Sequence, residues 1–232
     1  MKKMFALSLA VSVVAALAAP IVMASPIVSV NDQIKLFDGP GTGNGGAFKL
    51  YNYGPLGTAT PTNWFETFCL ETNEFFNPGS LLKVADISYE ARNGGAGGGV
   101  GGADPLNSKT AYLYTQYREN QAALDGASGW ASADAVVRGT AMQQAIWELE
   151  DELGAAGTSN ALANALIALA LPTGWDGAWR VKVLNLTSLD GTTLKQDQLY
   201  LAPVPLPAAG LLMLSALGLG GLITRRRNAS KQ

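Results

Sequence analysis

The chain reads as an α+β protein, a β-sandwich or barrel with a helical insert of about three helices. An N-terminal signal peptide and a C-terminal single hydrophobic helix flank it. Three observations predict this. Period-two alternation of apolar residues runs through 27–89 and returns over 179–202. Patterns of period 3.6, with capping and stop residues, fill 104–172 between them. Both extremities are continuous apolar runs that belong to neither pattern.

Composition narrows the function classes. Of 232 residues 48% are hydrophobic and 15% charged, the formal net charge is -2, and histidine is absent. A near-neutral chain without a basic stripe argues against nucleic acid as a partner. Without histidine, Ser/His/Asp catalysis and ordinary zinc hydrolysis are excluded, and no metal or cofactor is expected.

Residues 1–24 have the form of a secretory signal peptide. Lys2 and Lys3 precede an apolar run from Phe5 to about Ala19, and Val22, Met23 and Ala24 form a small-residue cleavage site before Ser25. At the other end, residues 203–232, Val204, Pro205, Leu206 and Pro207 lead into an apolar run from Ala208 to Ile223, followed by Arg225, Arg226 and Arg227. A helix of about 17 residues spans about 25 Å, just short of the hydrocarbon thickness, which it can cross with the arginines snorkelling on the cytoplasmic side. A plain C-terminal anchor is the simpler reading.

This order of proline motif, short hydrophobic helix and arginine cluster resembles the PEP-CTERM sorting signals, in their VPLPA form. The resemblance implies an exosortase-type sorting protease as partner and transient residence in the inner membrane through the C-terminal helix. Release to the cell surface or extracellular matrix of an exopolysaccharide-producing Gram-negative bacterium would follow. Leu206 stands where the usual motif has glutamate, so a matched exosortase variant is implied.

Residues 25–202 then form one mature domain. Residues 27–30, 34–36 and 47–53 read as short strands, with the glycine-rich 39–46 as a flexible connection lacking the Lys-Ser/Thr of a phosphate loop. The aromatic stretch 64–70 reads as a strand, with Phe65, Thr67 and Cys69 on one face and Trp64, Phe68 and Leu70 mainly on the other. Residues 84–89 form another, and 93–102 a second glycine-rich loop. Asp104 and Pro105 open a helix reaching about Leu124. Residues 133–153 form the second helix, closed by Gly154, and Ser159 caps a third that Pro172 stops. Residues 179–186 and 198–202 return as a hairpin around Asp190 and Gly191.

On the second helix Gln143 falls among Val136, Ile146, Trp147, Leu149 and Leu153 on the apolar face. Gln144 points to solvent with Glu148 and Asp151, and the acids at 148 and 150–152 read as a solvated edge. A buried carboxamide without a partner costs about 1–3 kcal/mol, so Gln143 requires one. Cys69 is the sole cysteine of an exported chain, and an unpaired thiol there is either buried or consumed in chemistry.

Phe68-Cys69-Leu70 on a strand, followed by Met142-Gln143-Gln144-Ala145-Ile146-Trp147 on a helix, resembles the bipartite signature of bacterial thioester domains. Ala111-Tyr112-Leu113-Tyr114 sits where that family carries an aromatic helix. The resemblance implies an internal Cys69–Gln143 thioester that captures a surface amine or hydroxyl nucleophile, as a single-use adhesin and not a turnover enzyme. Such a bond must be shielded from water, for which Trp64, Phe68 and Trp147, with Phe65, are candidates. Backbone N–H groups or the hydroxyl of Thr67 or Thr140 are candidates for stabilising the oxyanion. The alternative is a non-covalent structural or exopolysaccharide-associated biofilm matrix protein in which Cys69 is a buried free thiol.

Overall fold

The computed structural model describes residues 27–42, 45–92, 102–170 and 177–204. The signal peptide, most of the second glycine-rich loop, and the tail from Pro205 through Leu206, Pro207, Arg225, Arg226 and Arg227 lie outside these residues. Within them the chain is α+β: β1 (Gln33–Thr42), β2 (Gly45–Asn52), β3 (Asn63–Thr67), β4 (Leu81–Ser88), β5 (Glu90–Ala91), β6 (Asp104–Pro105), α1 (Ser108–Glu119), α2 (Ala135–Leu149), α3 (Ala161–Leu169), β7 (Val181–Ser188) and β8 (Leu194–Leu201).

Six strands form one antiparallel sheet in the order β3-β2-β1-β4-β7-β8, and β5 pairs with β6 in a separate short ladder. The sheet curls until its first and last strands meet. Residues just beyond β3 continue it onto β8: the Leu199 N–H donates to the Phe68 carbonyl at 3.0 Å and the Leu70 N–H to the Asp197 carbonyl at 3.1 Å. Cys69 lies opposite Gln198 between these two bonds.

Period-two alternation sorts the apolar side chains into two cores. Ile34, Leu36, Leu50, Phe65, Val84 and Leu186 are among those on the inner face of the curl. On the other face of β7 and β8, Val181, Val183, Leu199 and Leu201 pack with Phe68, Leu70 and the apolar sides of the three helices. β7 and β8 are therefore buried on both faces, which accounts for their nearly continuous burial.

Local chemistry sets the helix ends. Asn107, not Asp104, caps α1, its side chain accepting from the Lys109 N–H at 2.9 Å, while Asp104 and Pro105 pair with Glu90 and Ala91. The Asn107 amide also donates to the Leu149 carbonyl at 2.9 Å, tying the start of α1 to the end of α2. Asp134 caps α2 through the Val137 N–H. α2 ends before Gly154. Asp151 takes a left-handed conformation (φ 58°), the Glu152 N–H reaches back to the Trp147 carbonyl and the Asp151 N–H to that of Glu148, the pairing of a Schellman stop. Asn160, one residue beyond Ser159, caps α3.

Residues 39–46 are not a free connection: those described belong to the β1–β2 hairpin and dock on α2. The Thr42 N–H donates to Thr140 Oγ1 at 3.1 Å, and Gly139 lets the helix backbone meet Pro40 directly. A Cβ at Gly139 would overlap the Pro40 carbonyl oxygen. Gly139→Ala is therefore expected to destabilise the fold by about 1–3 kcal/mol despite alanine's better helix propensity, read by urea unfolding. A neutral or stabilising effect would mean the hairpin does not dock there.

Candidate functional site

Cys69 sits at the seam where the sheet closes. In an antiparallel ladder successive residues alternate the direction of their main-chain groups, and the neighbours of Cys69 turn theirs toward β8. The N–H and carbonyl of Cys69 consequently face away from β8, toward α2, and no strand lies there. The Gln143 carboxamide takes that place. Its Oε1 accepts from the Cys69 N–H at 3.1 Å, and its Nε2 donates to the Cys69 carbonyl at 2.7 Å. Both residues are buried.

The same geometry brings the side chains together, with Cys69 Sγ 3.3 Å from Gln143 Oε1. Burial pushes the thiol well above its ordinary range; the neighbouring Trp147 indole opposes this, while Glu71 and Glu152 add to it. The thiol is therefore protonated at neutral pH. A protonated thiol is a poor nucleophile toward anything outside the pair.

Trp147 lies one helical turn after Gln143, on the same side of α2. It is half-buried, and its indole Nε1 is buried beside the Cys69 thiol. A Cβ on Gly45 would come 3.2 Å from the Trp147 ring and 3.6 Å from Gln143 Cγ. The β2 end of the hairpin thus covers the glutamine and the indole together.

Phe68 is fully buried edge-on against Tyr114 and Tyr117, and Ala111 through Tyr114 are all buried on α1. Trp64 does not join them. It is 56% exposed on the outer face of β3, because alternation turns it away from Phe65 and no helix covers that stretch of sheet among the described residues. Phe65 packs inside the curl against Tyr200. Neither threonine reaches the carboxamide: Thr67 donates to the Leu199 carbonyl and Thr140 to that of Val136. The main-chain donor on Gln143 Oε1 is the Cys69 N–H.

The rest of α2 departs from its expected amphipathic division. Val136 is exposed on the first turn. Gln144 is half-buried and accepts from the Thr158 hydroxyl at 3.2 Å. The acidic edge is only partly solvated, since Glu150 and Glu152 are buried. Glu150 receives the Asn107 N–H, and Glu152 receives both the N–H and the hydroxyl of Thr72, at 2.9 and 2.8 Å. Thr72 follows Cys69 by three residues, so Glu152 anchors the strand exit from beneath the site. Asn185 is buried and donates to Asp197 Oδ2 at 2.6 Å. Among the described residues no group of three or more His, Cys, Asp or Glu could hold a metal ion.

Burial pushes the Glu150 carboxyl from 4.5 up to about 7. A raised folded-state value means the folded protein binds the proton more tightly, so this contribution to stability is complete below about pH 4.5 and is lost as pH rises through about 7. Burial raises Asp197 in the same direction. Stability should therefore fall across this window, and Glu150→Gln should flatten the slope in urea titrations at successive pH values. An unchanged slope in the variant would assign it elsewhere. In comparisons with known proteins, no protein family, curated protein or solved structure matches this chain.

Proposed function

We propose that the chain is an exported surface protein whose Cys69 and Gln143 condense to an internal thioester that captures an amine or hydroxyl on a surface. The observation that carries this reading is the buried contact of Cys69 Sγ with the Gln143 carboxamide, 3.3 Å from its oxygen. In the bond-forming step sulfur adds to Gln143 Cδ, the thiol proton passes to Nε2, and ammonia leaves. The Cys69 N–H, 3.1 Å from Oε1, is placed to stabilise the charge that gathers on that oxygen. The Cys69 carbonyl holds the departing nitrogen in its starting position. A strand and a helix fixed by their own hydrogen bonds supply the proximity on which such a condensation relies.

Capture reverses the logic. An incoming amine or hydroxyl attacks the acyl carbon, the sulfur leaves as a thiol, and Gln143 ends as a substituted amide or ester. One molecule reacts once, so the protein is a reagent and not an enzyme. The curled sheet, in this reading, is a barrel closed through residues 68–70, with the acyl group at its seam. The sorting tail gives the rest of the proposal: secretion, a transient inner-membrane stop, processing by an exosortase-type protease, and residence at the cell surface or in the biofilm matrix.

A second reading is favoured by the same two hydrogen bonds, which already satisfy the carboxamide. In it Gln143 is a structural clasp, Cys69 a free buried thiol, and the protein a non-covalent matrix component. Intact-mass spectrometry separates the two. The thioester predicts a mass lower than the sequence by one ammonia, restored in Cys69→Ala and in Gln143→Glu, and a methylamine adduct on the wild type alone. A full wild-type mass with a thiol that alkylates freely after denaturation selects the second reading.

A further inference from the structure

The outer face of the β1–β2–β3 hairpin carries aromatic rings that neither core uses. In register, Lys35 lies opposite Tyr51, Tyr51 opposite Trp64, and Phe37 opposite Lys49. The rings touch one another across the strands. Phe37 meets Tyr51 edge-on with centroids 5.6 Å apart, and Tyr51 stacks beside Trp64 at 6.1 Å. Phe37 and Trp64 remain exposed after making these contacts, and Tyr51 and Tyr53 are half-buried. Beside them is a shallow hollow lined by Phe37, Asp38, Lys49, Tyr51, Tyr53 and Pro61.

We propose that this face is a docking platform for a neutral polysaccharide, gripped by ring stacking on Phe37, Tyr51 and Trp64 and by hydrogen bonds to Asp38 and Lys49. Pyranose rings present C–H faces that lie on aromatic surfaces, and hydroxyls that need both donors and acceptors. The hollow supplies one of each in a charge-balanced pair, the Lys49 ammonium and the Asp38 carboxylate. Lys35 is engaged over the Tyr53 ring at 5.4 Å. That balance complements an uncharged ligand. A polyanion or an anionic membrane would call for an excess of cations, and a membrane or a protein core for protruding aliphatic side chains. The outward positions flanking these rings are Gln33, Lys35, Lys49 and Glu66, none of them aliphatic, and Glu66, opposite Lys49, offsets the charge of Lys35. Cross-strand pairing stiffens the rings in advance, so little side-chain freedom is lost on binding.

The platform uses neither Cys69 nor Gln143, and it stands whether or not the thioester forms. The test is affinity electrophoresis of the full chain in native gels containing a neutral β-1,4-glucan or dextran, with vesicles containing phosphatidylglycerol as a separate arm. Retardation by a neutral glucan is expected for the wild type and for Cys69→Ala alike. Trp64→Ala should weaken it about tenfold, the cost of one interfacial aromatic anchor. Trp64→Phe, which keeps a ring, should fall between, and circular dichroism checks that both variants are folded. The proposal is overturned if neither glucan retards the chain, if Trp64→Ala and Tyr51→Ala bind as the wild type does, or if the vesicles bind and the glucans do not. Loss of retardation in Cys69→Ala would also overturn it, by assigning retention to covalent capture.

Discussion

The main-chain N–H and carbonyl of Cys69 point toward a helix, where no strand can pair them, and a glutamine side chain meets both at once. Each such bond contributes about 1 kcal/mol when made, and a buried main-chain group left alone costs more. The position of α2 follows from this need. The helix must approach closely enough for a two-carbon side chain to reach the seam, and Gly139 against Pro40 permits that approach. Gly45 permits the hairpin to fold over the same helix, covering the carboxamide and the indole.

The carboxylates below the site obey a related constraint. A buried carboxylate is tolerated only where donors replace its lost water. Glu152 finds them on Thr72, Glu150 on Asn107, and Asp197 on Asn185 and on the main chain of Leu186 and Arg92. Each tethers a loop or strand end to a neighbouring element, so the acids act as staples, and burial raises the carboxyls of Glu150 and Asp197. Their negative charge also bears on Cys69, where Glu71 and Glu152 reinforce burial in keeping the thiol protonated.

What the sequence made legible is what periodicity governs. The burial of Gln143 followed from its angular position among Ile146 and Leu149. The strand expected over 64–70 instead ends at Thr67, and Cys69 lies beyond it in a single bridge to Gln198, because the chain there leaves β2 and pairs with β8. Contacts made by distant loops were not legible. Gln144 and Glu150 look solvated on a helical projection, yet Thr158 and Asn107 reach them from other parts of the chain. Alternation correctly separated Trp64 from Phe65, but it cannot tell which side of a strand another element will cover. Caps shifted by one to three residues because Ser159 competes with Asn160, and Asp104 with Asn107, and only the folded backbone decides which side chain finds a free N–H. The glycines at 39–46 suggested slack, whereas several of them serve close approach.

The closing of the sheet through residues 68–70 has a mechanical side. β8 is the last strand before residue 204, and it lies between β7 and the Cys69 segment. Tension entering through the C-terminal end would run along β8 and load both flanking ladders in shear, where many hydrogen bonds must yield together. Val28, near the opposite end of the domain, donates its N–H to the Tyr200 hydroxyl on that same strand. The two ends of the described fold therefore converge on one strand, the same strand that closes on the segment holding Cys69.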